Sequence, residues 1–332
     1  MNRTIKDFYM MEAMKYYSNE DTTNKKRLAM INNENNEFMA SRKNDGCWSM
    51  LIHESEDVNH IRSRSISVKT GAYGDYTNKL PHICEEMDKL LPDNTVILAE
   101  ICWDEPGTTA NTVGTILRCK DAKAVERQEE HKLKAVAFDC LMWNGEDLTN
   151  TPYVNRVNKF LFNINGGINL YPTTFFSDNF AEAADDIIGH GGEGVVIQRK
   201  DATYTPGLRS AWKTLKLKQQ LPEMELRVLG VIEPNKLYEG ISGDNWPYIL
   251  NGEKVTKPYY MGWKTGVTVD YNGVEVGVTS GTTDEDKEWV ASDEAAELIK
   301  AGKLIAVVKG MAENSQGSIR HPILIRLRND LS

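Results

Sequence analysis

Long apolar runs are missing from this chain. No stretch stays apolar for the roughly 18 residues that a membrane span needs, and the opening MNRTIKDFYMMEAMKYY interrupts its apolar residues with Arg3, Lys6, Asp7 and Glu12. That start lacks the h-region of a signal peptide, so a cytoplasmic location without a membrane partner is expected. Cysteine is scarce as well. Cys47, Cys84, Cys102, Cys119 and Cys140 form no C-x-x-C pair, and the six histidines show no H-x-x-x-H or C₂H₂ spacing. Free thiols in a reducing compartment are therefore expected, and no structural zinc. Positive charge is in deficit too, with 39 lysines and arginines against 48 acids and a formal net charge of -9. That balance would exclude a nucleic-acid partner only if the charges were evenly spread. They are not: acids collect at 54–57 and 284–297, and bases at 62–64, 199–200, 213–218 and 320–328. A basic face on an acidic protein is the expectation.

What is present fits an ordinary globular chain. With 332 residues there is room for two domains, and 40% hydrophobic with 26% charged residues places the chain outside the disordered class. Residues up to about 36 read as helical and polar, and β-like runs follow at 47–53, 95–103, 134–143 and 194–199. Helical stretches at 121–133 and 180–188 interleave with them, which predicts a domain of mixed sheets and helices. A boundary falls near Gln219-Gln220-Leu221-Pro222, giving domains at 1–219 and 220–332. The second carries strand-like runs at 225–232, 272–280, 303–309 and 323–328, and one amphipathic helix that Gly302 can cap. Short strands plus one helix fit a small barrel of the OB type, and other small β folds stay open on composition alone.

The chemistry-bearing motifs are individually modest. Lys43-Asn44-Asp45-Gly46 leads into a strand. A lysine amine becomes a nucleophile when other cations or a dry pocket depress its pKa, and Gly46 would let a substrate approach the backbone. Taken alone, those four residues read better as a surface turn. Gly191-Gly192-Glu193-Gly194-Val195-Val196-Ile197 sets an acid at the mouth of an apolar strand, where Glu193 can hold Mg²⁺ or merely cap a turn. The glycines there are not a P-loop, since no Gly-Lys-Ser/Thr follows. In Lys213-Thr214-Leu215-Lys216-Leu217-Lys218, strand alternation puts Lys216 and Lys218 on one face. A triphosphate between them would relieve their repulsion; an edge strand guarded by lysines is the plainer alternative. Glu100 interrupts an apolar run, where a ribose hydroxyl would be a suitable partner, and Phe138 can stack on a base or belong to the core.

Taken in order, these segments resemble the covalent nucleotidyltransferases, a superfamily of ATP-dependent DNA ligases, RNA ligases and mRNA-capping enzymes. Lys43-Asn44-Asp45-Gly46 looks like the nucleophile motif, Ser63-Arg64 lies where DNA ligases carry an arginine, and 135–141, 193–196 and 216–218 match the later motifs. The stretch 191–218 and the end segment 317–330 look like DNA ligases in particular. The resemblance covers nearly all of the chain after about residue 38. It implies an α+β fold, in which an adenylyltransferase domain of mixed antiparallel sheets and helices is followed by an OB barrel. It also implies a lysyl–AMP on Lys43, formed from ATP, with Lys216 and Lys218 on the α-phosphate and Glu193 on Mg²⁺. Arg64 joins the nucleotide contacts, Glu100 meets the ribose, Phe138 stacks on adenine, and Arg328 and Asp330 orient pyrophosphate. The partner would be nicked or broken duplex DNA, bound by a monomer in a bacterial cell or phage-infected host. Candidate DNA-binding inserts are 69–78 and 234–256. Two positions depart from the pattern: Trp48 replaces the usual arginine, and Leu331 the usual lysine. The competing readings are an RNA ligase, a capping guanylyltransferase and a nick-binding module without catalysis.

Overall fold

The computed structural model describes residues 3–18, 25–67, 70–103, 110–129, 131–208, 212–218, 223–239, 246–313 and 317–329. The chain divides into two compact units, Met1–Lys218 and Gln219–Ser332. In the first, the strands are β1 (Tyr17–Ser18), β2 (Phe38–Arg42), β3 (Cys47–Ser55), β4 (Val58–Ile66), β5 (Tyr73–Asp75), β6 (Thr95–Cys102), β7 (Lys134–Trp143), β8 (Glu146–Asp147), β9 (Leu170–Pro172), β10 (Phe175–Phe176), β11 (Gly194–Arg199) and β12 (Thr214–Lys218). Its helices are α1 (Lys25–Asn32), α2 (Pro81–Leu90), α3 (Ala110–Leu117), α4 (Asp121–Glu126), α5 (Tyr153–Leu161) and α6 (Phe180–Gly189).

Among the described residues these strands make two sheets. One runs β5-β4-β3-β6-β7-β8 with β9 added beside β7, and the other runs β1-β12-β11-β2-β10. Strand alternation separates the faces of the larger sheet. Leu51, Ile97, Ala99, Ile101, Ala135 and Ala137 pack with α2, α3 and α5 residues such as Ile83, Val113 and Val157. On the opposite face, Met50, Ile52, Val96 and Leu98 pack with Ile5, Phe8, Met11 and Met14. The smaller sheet buries Ala40, Val195, Ile197 and Leu215 against Phe180, Ala184 and Ile187 of α6.

The chain passes between the two sheets at two adjacent places. Residues 43–46 join β2 of the smaller sheet to β3 of the larger, and 173–174 join β9 to β10. The crossings are bonded to each other: Arg42 N donates to Thr174 O at 2.8 Å, Asn44 Nδ2 to Thr173 Oγ1 at 3.2 Å, and Thr173 Oγ1 to Arg42 O at 3.2 Å.

The N-terminal segment corrects its helical reading. Residues Ile5–Phe8 form one 3₁₀ turn, residues 9–16 have no regular helix, and among the described residues up to 36 only Lys25–Asn32 is α-helical. Every third residue from Ile5 to Met14 is apolar and lies on the sheet. Side chains from elsewhere satisfy the backbone in place of helical bonds. Arg62 donates to Phe8 O at 3.1 Å and to Met11 O, and Met14 N donates to Tyr204 Oη at 3.0 Å.

The second unit contains β13 (Met224–Ile232), β14 (Ile249–Leu250), β15 (Glu253–Lys254), β16 (Gly266–Tyr271), β17 (Val274–Val278), β18 (Ile305–Glu313) and β19 (Ile319–Arg328). It also contains α7 (Lys257–Met261), α8 (Asp284–Trp289) and α9 (Asp293–Lys300). The main sheet runs β17-β16-β13-β18-β19, and a parallel bridge from Ser280 to Ile323 joins its two edges. A five-stranded sheet closed in this order, with α9 between β17 and β18, has the connectivity of an OB barrel. The strand read at 272–280 is β17, over Val274–Val278, and it forms a hairpin with β16, which was not anticipated. Asn272 and Gly273 both have positive φ, 52° and 82°, as a two-residue type I′ turn requires. Helix α8 was not anticipated, and 121–133 is helical only over Asp121–Glu126. Among the described residues no helix is long and apolar enough to cross a membrane.

A buried ion pair ties β7 to α5. Arg156 is 0% and Asp139 1% exposed. The guanidinium grips both carboxylate oxygens at 2.8 and 2.9 Å and donates to Thr151 O and Ala202 O. Removing one partner strands the other charge in the core, so Arg156→Ala is expected to lower the unfolding free energy by about 3–5 kcal/mol. Urea unfolding measures this; a loss under about 1 kcal/mol, the scale of an exposed pair, would contradict the buried geometry.

Candidate nucleotide-binding site

A cavity of about 610 Å³ opens within the first unit, and both sheets contribute to its walls. The smaller sheet supplies a cross-strand row, Ser41–Val196–Lys216, with Gln198 one pleat further along β11. From the larger sheet come Trp48 and Glu100, which face each other across β3 and β6, together with Phe138 and Arg64. The crossing loop adds Lys43, Asn44 and Gly46. The motif residues far apart in sequence therefore share one chamber because the chain crosses between the sheets beside it.

Two motif glycines have backbone explanations. A Cβ on Gly46 would stand 2.2 Å from Ile101 O, so the loop must press against β6 before any substrate is considered. Gly194 has φ +123°, and its Cβ would stand 2.2 Å from Leu217 O. Its own carbonyl accepts a bond from Lys43 N at 2.8 Å, which anchors the start of the loop. Asp45 in turn accepts from Ala110 N at 3.0 Å at the start of α3.

The Lys43 ammonium is paired with the Glu193 carboxylate, and each side chain is about a fifth exposed (19% and 18%). Burial pushes Lys216 down to about 8, and the positive charges of Lys43 and Arg64 add to the shift. Burial pushes Glu100 up to about 7; Glu193 raises it further while Lys43 and Lys216 work against the rise. Cations crowded beside a half-protonated acid make a chamber that favours an anionic ligand. The Lys216 ammonium also lies 5.4 Å from the Tyr16 ring centre. Cys47 borders the cavity, but burial raises its thiol to about 11, so it is no nucleophile there.

Of the residues singled out from sequence, Lys43, Arg64, Glu100, Phe138 and Lys216 line the cavity. Glu193 and Lys218 are not in the lining, although Glu193 reaches it through Lys43 and Lys218 shares the strand face of Lys216, opposite Gly194. Arg328 belongs to the second unit, where it pairs with Glu225. Asp330, Leu331 and parts of 69–78 and 234–256 lie outside the described residues. Within 69–78, Tyr73–Asp75 is an edge strand on β4 rather than a plain loop. Among the described residues no group of three metal-binding side chains occurs. Glu193 alone still suits Mg²⁺, which commonly binds one or two carboxylates along with substrate phosphates and water. Sequence reading missed Tyr16, Ser41, Arg42, Tyr153 and Gln198 in the lining. Ser41 lies two residues before Lys43 and Gln198 two after Val196, so strand alternation carried the signal for both.

Comparison with known proteins gives matches in both sequence and structure. The family described as "ATP dependent DNA ligase domain" matches residues 21–218. A DNA ligase of Natronomonas pharaonis is 27% identical over 191 residues, covering 57% of this chain and 33% of that protein. A probable DNA ligase of Dictyoglomus turgidum is 30% identical over 175 residues, covering 51% of this chain and 29% of that one. The chain thus spans about a third of the length of these relatives. Among solved structures, a Lig E DNA ligase, titled as binding DNA with a minimal scaffold, aligns with a TM-score of 0.58 at 18% identity over 88% of this chain and 93% of that one. The structure titled Pmar-Lig_PreS3 aligns with a TM-score of 0.63 at 18% identity, over 96% and 68% respectively.

The depressed Lys216 makes anion binding proton-linked. Its folded pKa of about 8 lies below the ordinary 10.5, so at pH 8.5 it is mostly neutral. A polyphosphate seated against it restores the charge and draws in a proton. Calorimetric titration with ATP at pH 8.5, in buffers of different ionisation enthalpy, should show uptake of a fraction of a proton. Lys216→Arg should abolish that uptake, because its guanidinium never discharges. Equal uptake in the two proteins would remove Lys216 as its source.

Proposed function

Because the chain belongs to the ATP-dependent DNA ligase domain family, we propose that it seals breaks between a 5′-phosphate and a 3′-hydroxyl in duplex DNA, using ATP. The single observation that carries the reading is that Lys43, Glu100, Phe138 and Lys216 converge on one nucleotide-sized chamber, with Glu193 paired to Lys43.

The Lys43–Glu193 pair holds the amine at the cavity. A protonated amine has no lone pair to give, so attack requires the proton to leave and the pair to part. The Nζ lone pair then forms a bond to the α-phosphorus of ATP, the bond to the bridging oxygen breaks, and pyrophosphate departs. Lys216 and Arg64 oppose the negative charge that builds on the phosphoryl oxygens, the main contribution available in such transfers. Lys218 reinforces that field from the same strand face. Glu100 receives a ribose hydroxyl, and Phe138 and Val196 lie on opposing walls suited to the base. Glu193 would hold Mg²⁺, which when bound supplies further charge neutralisation on the phosphates. In the second step a 5′-phosphate oxygen attacks the AMP phosphorus and frees Lys43. In the third, the 3′-hydroxyl attacks the activated 5′-phosphate and AMP leaves. Arg328 and Asp330, in the second unit, are assigned to the pyrophosphate on the resemblance of their segment.

The test is incubation with Mg²⁺ and α-labelled ATP, removal of free nucleotide, and a chase with nicked DNA or 5′-phosphorylated RNA. Label should survive denaturation of the protein and discharge as DNA is sealed. Lys43→Ala should abolish labelling with an unchanged far-UV circular dichroism spectrum. Discharge on RNA alone would make the chain an RNA ligase, and absence of covalent label would leave a binding module.

A further inference from the structure

Gln198 has no part in the chemistry above, yet it is the most unusual polar group of the cavity wall. It is 3% exposed, and its Nε2 finds no hydrogen-bond partner among the described residues. Thr214 lies opposite it in the β11–β12 register, is 1% exposed, and also has an unpartnered Oγ1. Buried polar groups are nearly always paired, and an exception calls for an explanation. Core packing does not supply one here, because Gln198 borders the chamber.

Its place along β11 supplies the explanation. The strand face toward the cavity carries Gly194, Val196 and Gln198 in succession. Gly194 bonds to Lys43, and Val196 stands between Ser41 and Lys216. At roughly 3.3 Å per residue, Gln198 is about 13 Å along the strand from the end that holds the nucleophile. A nucleotide tethered at Lys43 and extended along this line would present phosphate, sugar and base in turn. Its phosphate would then meet Lys216 and its base would reach the part of the chamber bordered by Gln198.

We propose that Gln198 reads the base of the nucleotide, accepting from the exocyclic amino group of adenine and donating to the neighbouring ring nitrogen. The proposal rests on the adenylyl-transfer reading above. A carboxamide presents one donor and one acceptor side by side, and adenine presents the complementary pair. The unpartnered amide is thereby satisfied only when an adenine nucleotide is bound.

The experiment compares Mg²⁺-free binding of ATP, its 6-desamino analogue, and 1-deaza- and 7-deaza-ATP. The proteins are the unsubstituted chain, Gln198→Ala and Gln198→Leu. In the unsubstituted chain, loss of the amino group is expected to weaken binding about ten- to hundredfold, and one deaza analogue should fall comparably and identify the edge that is read. In both variants ATP should weaken by a similar factor and the analogues should no longer differ from it. Persistence of the analogue penalty in the variants, or its absence from the unsubstituted chain, would overturn the proposal. If both variants fail to fold, Gln198→Glu decides, since it keeps the shape and loses the donor; ATP affinity unchanged there would overturn it. Covalent labelling at Lys43 is scored separately. Intact base discrimination without any lysyl–AMP would defeat the ligase reading and leave Gln198 standing.

Discussion

The bonded pair of crossings between the two sheets is the constraint on which the rest of the first unit depends. Residues 43–46 and 173–174 pass from one sheet to the other side by side, held by Arg42, Asn44, Thr173 and Thr174. Each sheet has its own core on the side away from the cavity, one against α6 and one against α2, α3 and α5. Neither core specifies how the sheets meet; the crossings do. They also put Lys43 on the segment that joins the two walls. Gly46 and Gly194 serve that geometry first, because a Cβ at either would collide with a carbonyl of the neighbouring strand.

The electrostatics follow from that convergence. Lys43, Arg64 and Lys216 would be unremarkable basic residues on separate surfaces, but the fold brings them to one cavity with Glu100 and Glu193 nearby. Burial then moves Lys216 and Glu100 in opposite directions, to about 8 and about 7, each toward its neutral form. The sign of each contribution to stability differs accordingly. Glu100 holds its proton more tightly folded than unfolded, so its contribution falls as pH rises from about 4.5 to 7. Lys216 holds its proton less tightly, so its contribution rises with pH between about 8 and 10.5. An anionic ligand would offset the cost of the ammonium, and the local gathering of cations makes this possible in a chain of net charge -9.

How much was legible in the sequence depended on whether the signal was local. The strands β3, β6, β7 and β11 follow apolar runs that their residues announce, and Glu100 was conspicuous because it interrupts one of them. Lys216 and Lys218 share a face through alternation alone. The N-terminal segment was misread because its apolar residues recur every third position while its backbone partners, Arg62 and Tyr204, are distant in sequence. Of the β16–β17 hairpin only the second strand was legible, within 272–280; Asn272-Gly273 is a strong local turn signal, but the run before it, Gly266–Tyr271, is short and mixes Thr268 and Asp270 with its valines. Tyr16 was invisible for a different reason. Its place in the cavity follows from the parallel pairing of β1 with β12, a contact across some 200 residues that no periodicity encodes.

Trp48 shows how a departure from a family pattern acquires physical meaning. At a position where a basic residue is usual, its indole faces Glu100 across the strands and packs against the cluster that contains Met50, Leu98 and Phe138. A guanidinium is nearby all the same. Arg62 lies 5.9 Å from the Trp48 ring and 4.1 Å from that of Tyr73, and is 6% exposed. It donates to the backbone carbonyls of Phe8 and Met11 in the N-terminal segment and of Ser63 in its own strand, so its charge secures the fold, and it is not among the residues lining the chamber. Arg64, two residues on and therefore of the same strand phase, is exposed and borders the cavity. Trp48 and Phe138 thus give the larger sheet's side of the cavity an aromatic surface, and Lys43, Arg64 and Lys216 bring positive charge to the same cavity, with Lys43 and Lys216 acting on Glu100. A chamber that sets an aromatic wall beside a cluster of cations has the two surfaces required by a ligand apolar at one end and anionic at the other.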